Sequence, residues 1–155
     1  METFNQMEFE KEIGRSVHFV QDNQSFSKYG VVRALHYQLG EHAQAKLVRV
    51  LNGTVLDVAV DLRKNSATFG QHLSVLLSGD NCKQLFIPRG FAHGFITLSE
   101  TAEFFYKCDN YYHKEAEGGI RYDDASLGID WKLAANEILA SEKDLALPSL
   151  ENAVI

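Results

Sequence analysis

Four side chains of this sequence combine the residue types that metal-free acid–base chemistry needs. His36 lies in a run of strand-forming residues, and histidine changes charge near neutral pH, which makes it the natural base. Lys46, predicted about one strand away, would lie over a developing oxyanion and stabilise it. Tyr106 and Tyr112 offer phenols that can protonate a reacting carbon from another direction. The combination indicates general acid–base catalysis.

Each of these residues also has a structural interpretation. A single strand histidine is more often a satisfied structural residue than a catalyst. Tyr106 lies within the aromatic run FFYKC, which is typical of a core strand. Arg33 and Lys46 are compatible with charges at a sheet edge. Taken singly, none of these residues establishes a function.

A metal centre is not predicted. The pattern P-x-G-x-x-H at residues 88–93 resembles the second motif of cupins, which are small double-sheet barrels. Metal-binding cupins also carry a first motif of type His-x-His, but residues 36–38 read HYQ. A metal site needs three or four well-placed ligands. The spacing is poor for the only set available, which is His36, Glu41, His42 and His93.

The elements that must position these side chains begin with residues 30–63, the longest stretch that reads as continuous β structure. Asn52-Gly53 lies between two apolar, branched runs, which predicts a β-hairpin. Residues 54–63 alternate cleanly, with Leu56 and Val58 facing opposite to Asp57. Charged and titratable residues on neighbouring core strands are costly to bury unpaired. These strands are therefore predicted to line a cavity.

The rest of the chain predicts more short strands. Asn5 is a candidate cap for a helix through Ile13, followed by a brief strand at residues 17–21 and a polar loop at 22–28. Further strands are predicted at residues 70–77, 84–88, 92–98 and 102–110. Many short strands joined by polar turns indicate an all-β antiparallel sandwich or barrel. The inward polar residues favour a barrel with a ligand pocket.

Composition narrows the class of protein. The 155 residues fit one domain, residues 1–155, and are 45% hydrophobic. A net charge of −6 argues against nucleic-acid binding but allows a local basic pocket for a small anion. Two cysteines do not make a disulfide framework, which favours a cytoplasmic setting. No signal peptide and no membrane-spanning run is predicted.

Seven ordered segments resemble the dTDP-4-dehydrorhamnose 3,5-epimerase family, metal-free cupin-like enzymes of dTDP-L-rhamnose synthesis. The resemblance runs from Phe4 to Asp144. The segments are VQDNQS (20–25), GVVRALHYQ (30–38), QAKLVRV (44–50), DVAVDLR (57–63), IPRGFAHGF (87–95), AEFFYKCDNYY (102–112) and SEKD (141–144). The resemblance implies a homodimer of jelly-roll barrels (double-stranded β-helices), each binding a dTDP-4-keto-6-deoxyhexose without a cofactor.

The resemblance also implies roles for individual residues. His36 would remove the protons at C3 and C5, and Asp144 would orient and polarise it. Lys46 would contact the C4 oxygen and stabilise the enolate, and Tyr106 would deliver a proton to the opposite face. The predicted substrate contacts are Glu2, Gln21, Asn23, Ser25, Arg33, His93, Tyr112 and Glu117. If both Arg33 and His36 reach the ligand, strand alternation requires a bulge or bend between them.

Two alternatives remain open at this stage. One is a sister enzyme that epimerises a single centre of a related dTDP-keto sugar. The other is a catalytically weak sugar-nucleotide-binding barrel. Family members usually have about 25 residues before FNQ, including an early strand and an Arg-Gly segment. That segment is expected to be missing here, which would weaken the dimer and the nucleotide site. Gln24 stands where the family usually has histidine, close to the predicted ligand contacts.

Overall fold

A computed structural model describes all 155 residues, and its centre is a pair of facing antiparallel sheets. The strands are β1 Gln21–Lys28, β2 Val32–Gln38, β3 Lys46–Asn52, β4 Thr54–Asp61, β5 His72–Ser78, β6 Gln84–Ile87, β7 Phe91–Thr97, β8 Thr101–Cys108 and β9 Glu117–Gly119. One sheet has the order β1-β8-β3-β6 and the other β5-β4-β7-β2-β9. Successive strands mostly alternate between the sheets, which is the jelly-roll arrangement. The predicted fold class is confirmed.

Apolar side chains from both sheets pack together in the interior of the barrel. Val48 and Val50 of β3, Val55 and Ala59 of β4, and Phe104 of β8 belong to this buried cluster. The rings of Phe95 and Phe104 stack with their centres 4.2 Å apart, and Phe104 is 1% exposed. The cluster therefore joins the inner faces of the two sheets.

The outer face of each sheet is covered by a terminal segment. Helix α1, Gln6–Ile13, is capped by the Asn5 side chain as predicted, and Phe9 packs on Phe86 of β6. The C-terminal segment contributes Ile120, Leu127 and Trp131 to the cluster behind the five-stranded sheet. It contains helix α2, Glu142–Leu145, and single 3₁₀ turns lie at Gly40–His42, Lys114–Ala116, Ala135–Glu137 and Leu150–Asn152. No helix has the length and apolar character needed to cross a membrane.

The predicted hairpin at Asn52-Gly53 is wrong. Gly53 adopts the left-handed conformation with φ of 81°, so the turn is real. However, β3 pairs with β6 and β8, whereas β4 pairs with β5 and β7 in the other sheet. The chain crosses between sheets because both edges of β3 and of β4 are occupied by other strands. Local turn preference does not decide such non-local pairing.

The predicted strand at residues 17–21 and loop at 22–28 are also wrong, because the strand β1 is Gln21–Lys28. Its residues alternate between intermediate and exposed positions at the edge of the four-stranded sheet. Gln, Asp, Asn and Ser have low strand propensity, so the sequence of β1 resembles a loop. Pairing with β8 along all eight residues of β1 overrides that propensity.

Candidate active site

A cavity of about 320 Å³ opens between the two sheets, within the size range of small-molecule sites. Its wall combines side chains of β2 and β7 with side chains of β3 and β8 from the facing sheet. The lining residues are Ser25, Arg33, His36, Tyr37, Gln38, Gln44, Lys46, His93, Phe95, Phe104, Tyr106, Tyr112, Glu117, Ser141, Lys143 and Asp144.

The predicted base and its carboxylate meet in this cavity. His36 Nε2 lies 2.7 Å from Asp144 Oδ1. Asp144 belongs to α2, where the hydroxyl oxygen of Ser141 accepts a hydrogen bond from the Asp144 backbone N–H at 3.1 Å. Burial opposes the negative charge of Asp144, but the hydrogen bond and charge of His36, the hydrogen bond from Ser141 and the charge of Lys143 together outweigh it and hold the pKa of the carboxyl below its ordinary value. Asp144 is therefore an ionised acceptor for the Nε2 proton.

The other ring nitrogen of His36 is the free one. Nδ1 is buried without a hydrogen-bond partner, and Glu117 Oε1 is 3.8 Å away. A neutral imidazole that donates from Nε2 carries its lone pair on Nδ1. Nδ1 is thus the atom of this dyad that can accept a proton.

Glu117 is the centre of a charged group at the mouth of the cavity. Its Oε1 accepts from Lys143 Nζ at 2.6 Å, and its Oε2 accepts from the Tyr112 hydroxyl at 2.9 Å. Burial raises the pKa of Glu117, but the hydrogen bonds from Lys143 and Tyr112 and the charges of Lys143 and His36 together lower it by more. These contacts tie α2 and the segment that carries Tyr112 to β9.

Lys46 and Tyr106 project into the cavity from the four-stranded sheet, opposite His36. Lys46 Nζ lies 5.7 Å from the centre of the Tyr106 ring, and Lys46 pairs with no carboxylate of the chain. Burial lowers the pKa of Lys46, and the charges of Cys108, Asp57 and Glu117 only partly compensate. Burial raises the pKa of Tyr106, so its phenol stays protonated. The cavity thus presents an unpaired cation and a proton donor together.

A second histidine–carboxylate pair lies deeper in the cavity wall. His93 Nε2 is 2.9 Å from Asp57 Oδ2, and both side chains are buried. Strand register places His93 directly opposite His36 on the neighbouring strand. Asp57 Oδ1 has no hydrogen-bond partner. The pairing explains why an aspartate is tolerated on the inward face of β4.

The geometry explains how Arg33 and His36 share a cavity. The pairing of β2 with β7 shifts register between these two residues, which is the irregularity that alternation required. Arg33 is held from the other sheet, since its Nε donates to Ser27 Oγ at 3.2 Å. Ser25 lines the cavity nearby.

Three predicted substrate contacts lie outside the cavity lining. Gln21 Oε1 accepts from the Tyr112 backbone N–H at 3.1 Å, and Gln21 Nε2 donates to Asn23 Oδ1 at 3.1 Å. Gln21 and Asn23 therefore border the site behind Tyr112. Glu2 is exposed and accepts from the Asn5 side chain, and the structure does not bring it to the cavity.

No group of three or more His, Cys, Asp or Glu side chains is arranged to hold a metal ion. The candidate set of four is dispersed, since Glu41 and His42 do not line the cavity that contains His36 and His93.

The model of one protein family, described as dTDP-4-dehydrorhamnose 3,5-epimerase, matches residues 1–152. The chain belongs to this family.

Curated and solved members of the dTDP-4-dehydrorhamnose 3,5-epimerase family are close to this chain. The Salmonella typhimurium member is 55% identical over 154 residues, covering 99% of this chain and 84% of that protein. A crystal structure of the Elizabethkingia anophelis enzyme superimposes with a TM-score of 0.94 at 54% identity, covering 97% of this chain and 82% of that one. A Legionella pneumophila dTDP-6-deoxy-D-glucose-3,5-epimerase was solved in complex with dTDP-4-keto-L-rhamnose. It superimposes with a TM-score of 0.93 at 50% identity, covering 97% of this chain and 79% of that one.

Several residues at the epimerase site were missed by sequence reasoning. Asp57 faces inward by the alternation of β4, which was the available indication of a buried partner. Gln38 and Lys143 lie inside the family segments LHYQ and SEKD but were not singled out. Gln44 and Ser141 likewise begin the segments QAKLVRV and SEKD and were not singled out, although both line the cavity.

Proposed function

We propose that this chain converts dTDP-4-dehydro-6-deoxy-D-glucose to dTDP-4-dehydro-L-rhamnose by epimerisation at C3 and C5. The observation that carries the proposal is the distribution of groups across the cavity. The His36–Asp144 pair lies on one side, and Lys46 and Tyr106 lie on the facing sheet. Inversion requires removal of a proton from one face of a carbon and return of a proton to the other.

The chemistry assigns a role to each group. A C–H bond next to the C4 ketone becomes acidic because the electron pair moves onto the carbonyl oxygen. His36 Nδ1 takes the proton, and Asp144 stabilises the imidazolium through Nε2. The Lys46 ammonium stabilises the enolate oxygen. The Tyr106 phenol donates a proton to the opposite face. The phenolate then takes a proton from solvent and the His36 imidazolium releases one to solvent, which restores both groups. The reaction is an isomerisation with no net oxidation, so it needs no redox cofactor.

Cationic side chains suit the cavity to an anionic ligand although the whole chain is acidic. Arg33 and Lys143 lie on the wall, and the guanidinium of Arg33 offers a fork that matches a phosphate. We assign the diphosphate and nucleotide to this side of the site. The contacts we propose for them are Gln21, Asn23, Ser25, Arg33, Tyr112, Glu117 and Lys143, with His93 near the sugar. Neither a membrane nor a nucleic acid is a proposed partner.

We also propose a cytoplasmic homodimer. The apolar side chains of Phe26 on β1 and of Leu73 and Leu76 on β5 are 60%, 55% and 52% exposed. Both strands are sheet edges, which a second copy of the chain can cover. Sedimentation equilibrium should give twice the chain mass, and a monomer at micromolar concentration would reject the dimer.

The test of the function is deuterium uptake from D₂O into dTDP-4-keto-6-deoxyglucose. We expect uptake at both C3 and C5 for the natural chain and none for His36→Asn, with folding checked by circular dichroism. His72→Asn is the matched control, because His72 is an exposed residue of β5 outside the cavity. Uptake at one carbon would instead indicate the single-centre epimerase, and no uptake would indicate a binding barrel. Normal turnover by His36→Asn would reject His36 as the base.

A further inference from the structure

Two histidines outside the catalytic groups form a stacked pair beside the cavity. The rings of His42 and His113 lie with their centres 4.1 Å apart and their planes 11° from parallel. His42 belongs to the loop at residues 40–45, and His113 ends the segment at residues 109–113 that carries Tyr112. Neither imidazole is among the cavity-lining residues, so the proposed chemistry does not use them.

The stack is one of several contacts that join these two segments. Asn110 Nδ2 donates to the Glu41 carbonyl at 2.8 Å, and Gln44 Nε2 donates to the Asn110 carbonyl at 2.8 Å. The His113 backbone N–H donates to Gln38 Oε1 at 2.8 Å, and Gln38 lines the cavity. We call these contacts together the junction. The His42–His113 stack is the contact within the junction that is made by two titratable rings.

Tyr112 is the cavity residue that this junction holds. Its hydroxyl donates to Glu117, its backbone N–H donates to Gln21, and its side chain is 51% exposed at the rim. Because so much of the ring is exposed, its position depends on its neighbours in the chain. Tyr112 is bracketed by the anchors at Asn110 and His113.

We propose that the His42–His113 stack is a positioning clamp for Tyr112 and that protonation of both rings opens it. This inference rests on the proposed function, because Tyr112 contacts the substrate only if the cavity binds the nucleotide sugar. Neutral parallel rings attract each other, and a single proton is tolerated by a cation–π contact. Two positive charges at this separation repel. Histidine is the side chain for which this change falls near physiological pH.

The surrounding charges do little to offset the repulsion between two protonated rings. Glu41 Oε1 lies 3.8 Å from His42 Nε2 and is exposed. Asp109 is engaged by Arg89 at 2.8 Å. Lys114 and Glu115 follow His113 in the chain and form no ion pair with either ring. His113 itself has no carboxylate partner, so nothing offsets its charge directly.

The geometry does not favour a metal site at this position. A metal ion lies near the plane of each imidazole that binds it, whereas these two planes are nearly parallel and stacked. The chain supplies no third donor side chain in a suitable arrangement.

The experiment compares His113→Ala, His113→Phe and the natural chain, with His72→Ala as the control. KM and kcat for the nucleotide sugar are measured over about pH 5.5 to 8, where histidine titrates. We expect KM of the natural chain and of His72→Ala to rise by about two- to tenfold toward acid, the equivalent of one aromatic stack. His113→Ala should have the raised KM at every pH. His113→Phe keeps a stack that cannot acquire two charges, so its KM should not rise.

A second readout separates this inference from the proposed function. The histidine and Tyr112 ring signals in proton NMR need no turnover. We expect the Tyr112 signals to follow the titration of His42 and His113 in the natural chain and to lose that dependence in His113→Phe. If these NMR changes are seen but the chain does not epimerise the sugar, the proposed function is overturned and the clamp stands. The clamp is overturned if the Tyr112 signals do not change as the histidines titrate. It is also overturned if KM depends on pH equally in the natural chain and in His113→Phe.

Discussion

At the scale of single residues, the unpaired ammonium of Lys46 is the most informative feature. A buried cation without a carboxylate is costly unless a ligand supplies the opposite charge. Lys46 lies beside the Tyr106 ring and faces the cavity that contains His36. An enolate oxygen would provide that charge only during the reaction, which is when stabilisation accelerates the chemical step.

Replacing Lys46 tests whether it acts on the enolate. Lys46→Ala should lower kcat by about 10²- to 10³-fold, the usual loss for one oxyanion donor. Stopped-flow or coupled kinetics give kcat and KM separately. An effect on KM alone would assign Lys46 to substrate binding.

The pH dependence of Lys46 is a separate prediction. Burial lowers its pKa below the ordinary 10.5, so the ammonium loses its proton earlier than an exposed lysine as pH rises. The rate should therefore fall on the alkaline side below that ordinary value. Tyr106 does not explain such a fall, because burial raises its pKa. Lys46→Arg stays charged, and its residual activity should lack the alkaline decline.

Tyr106 should separate proton exchange from inversion. In Tyr106→Phe the base can still remove a proton and return it to the same face. Deuterium should then enter the sugar with its configuration retained, as measured by NMR of the product. A parallel loss of exchange and inversion would show that Tyr106 is not the opposite-face acid.

At the scale of elements, two irregular features bring the dyad together. The register shift in β2 turns Arg33 and His36 toward one cavity. The four-residue helix α2 then presents Asp144 to His36, and the Ser141 side chain caps that helix. The regular strands supply the wall, while these departures from regularity place the groups that we propose to react.

Removing the cap should weaken catalysis without removing a reacting group. Ser141→Ala loses a hydrogen bond to the Asp144 backbone, typically about 1 kcal/mol for an N-cap, which corresponds to about fivefold in rate. We expect kcat to fall by that factor and Ser141→Thr to restore it. The control is Ser149→Ala, because Ser149 precedes the 3₁₀ turn Leu150–Asn152 without a capping bond. Equal kcat in both alanine variants would contradict the positioning role.

At the scale of the whole molecule, a buried carboxylate fixes the connection between β4 and β5. Asp61 is 2% exposed and accepts hydrogen bonds from Arg63, Ser66 and Thr68. The hydrogen bond from Arg63 is the main reason that the pKa of Asp61 lies far below its ordinary value, against the opposing effect of burial. The cluster is remote from the cavity lining and therefore acts on stability.

The sign of this effect on stability follows from the lowered pKa. The folded chain binds fewer protons at Asp61 than the unfolded chain, so the stabilisation is fully present above the unfolded value of about 3.9 and is lost as pH falls below it. Asp61→Asn should lower the free energy of unfolding by about 1.5–3 kcal/mol at neutral pH, with the difference shrinking in acid. Urea denaturation at several pH values measures this. Asp80→Asn, at an exposed turn residue, is the control, and a loss independent of pH would contradict the charge argument.

The sequence by itself predicted the chemistry and part of the local structure. The residue types at His36, Lys46 and Tyr106 indicated acid–base catalysis, the cap at Asn5 predicted α1, and the alternation of residues 54–63 predicted β4. The ordered segments also identified the family, whose model matches residues 1–152. These features are readable because each depends on side-chain type or on neighbours within a few residues.

Only the tertiary structure decided which strands pair and which groups meet. It placed β3 and β4 in different sheets, made a strand of the polar residues in β1, and paired His93 with Asp57. It also brought Asp144 to Nε2 of His36 and left Nδ1 without a hydrogen-bond partner. Strand pairing is decided by hydrogen bonds and burial between residues far apart in the chain, and these outweigh local propensity. The side chains of the site therefore acquire their partners only when the two sheets close on each other.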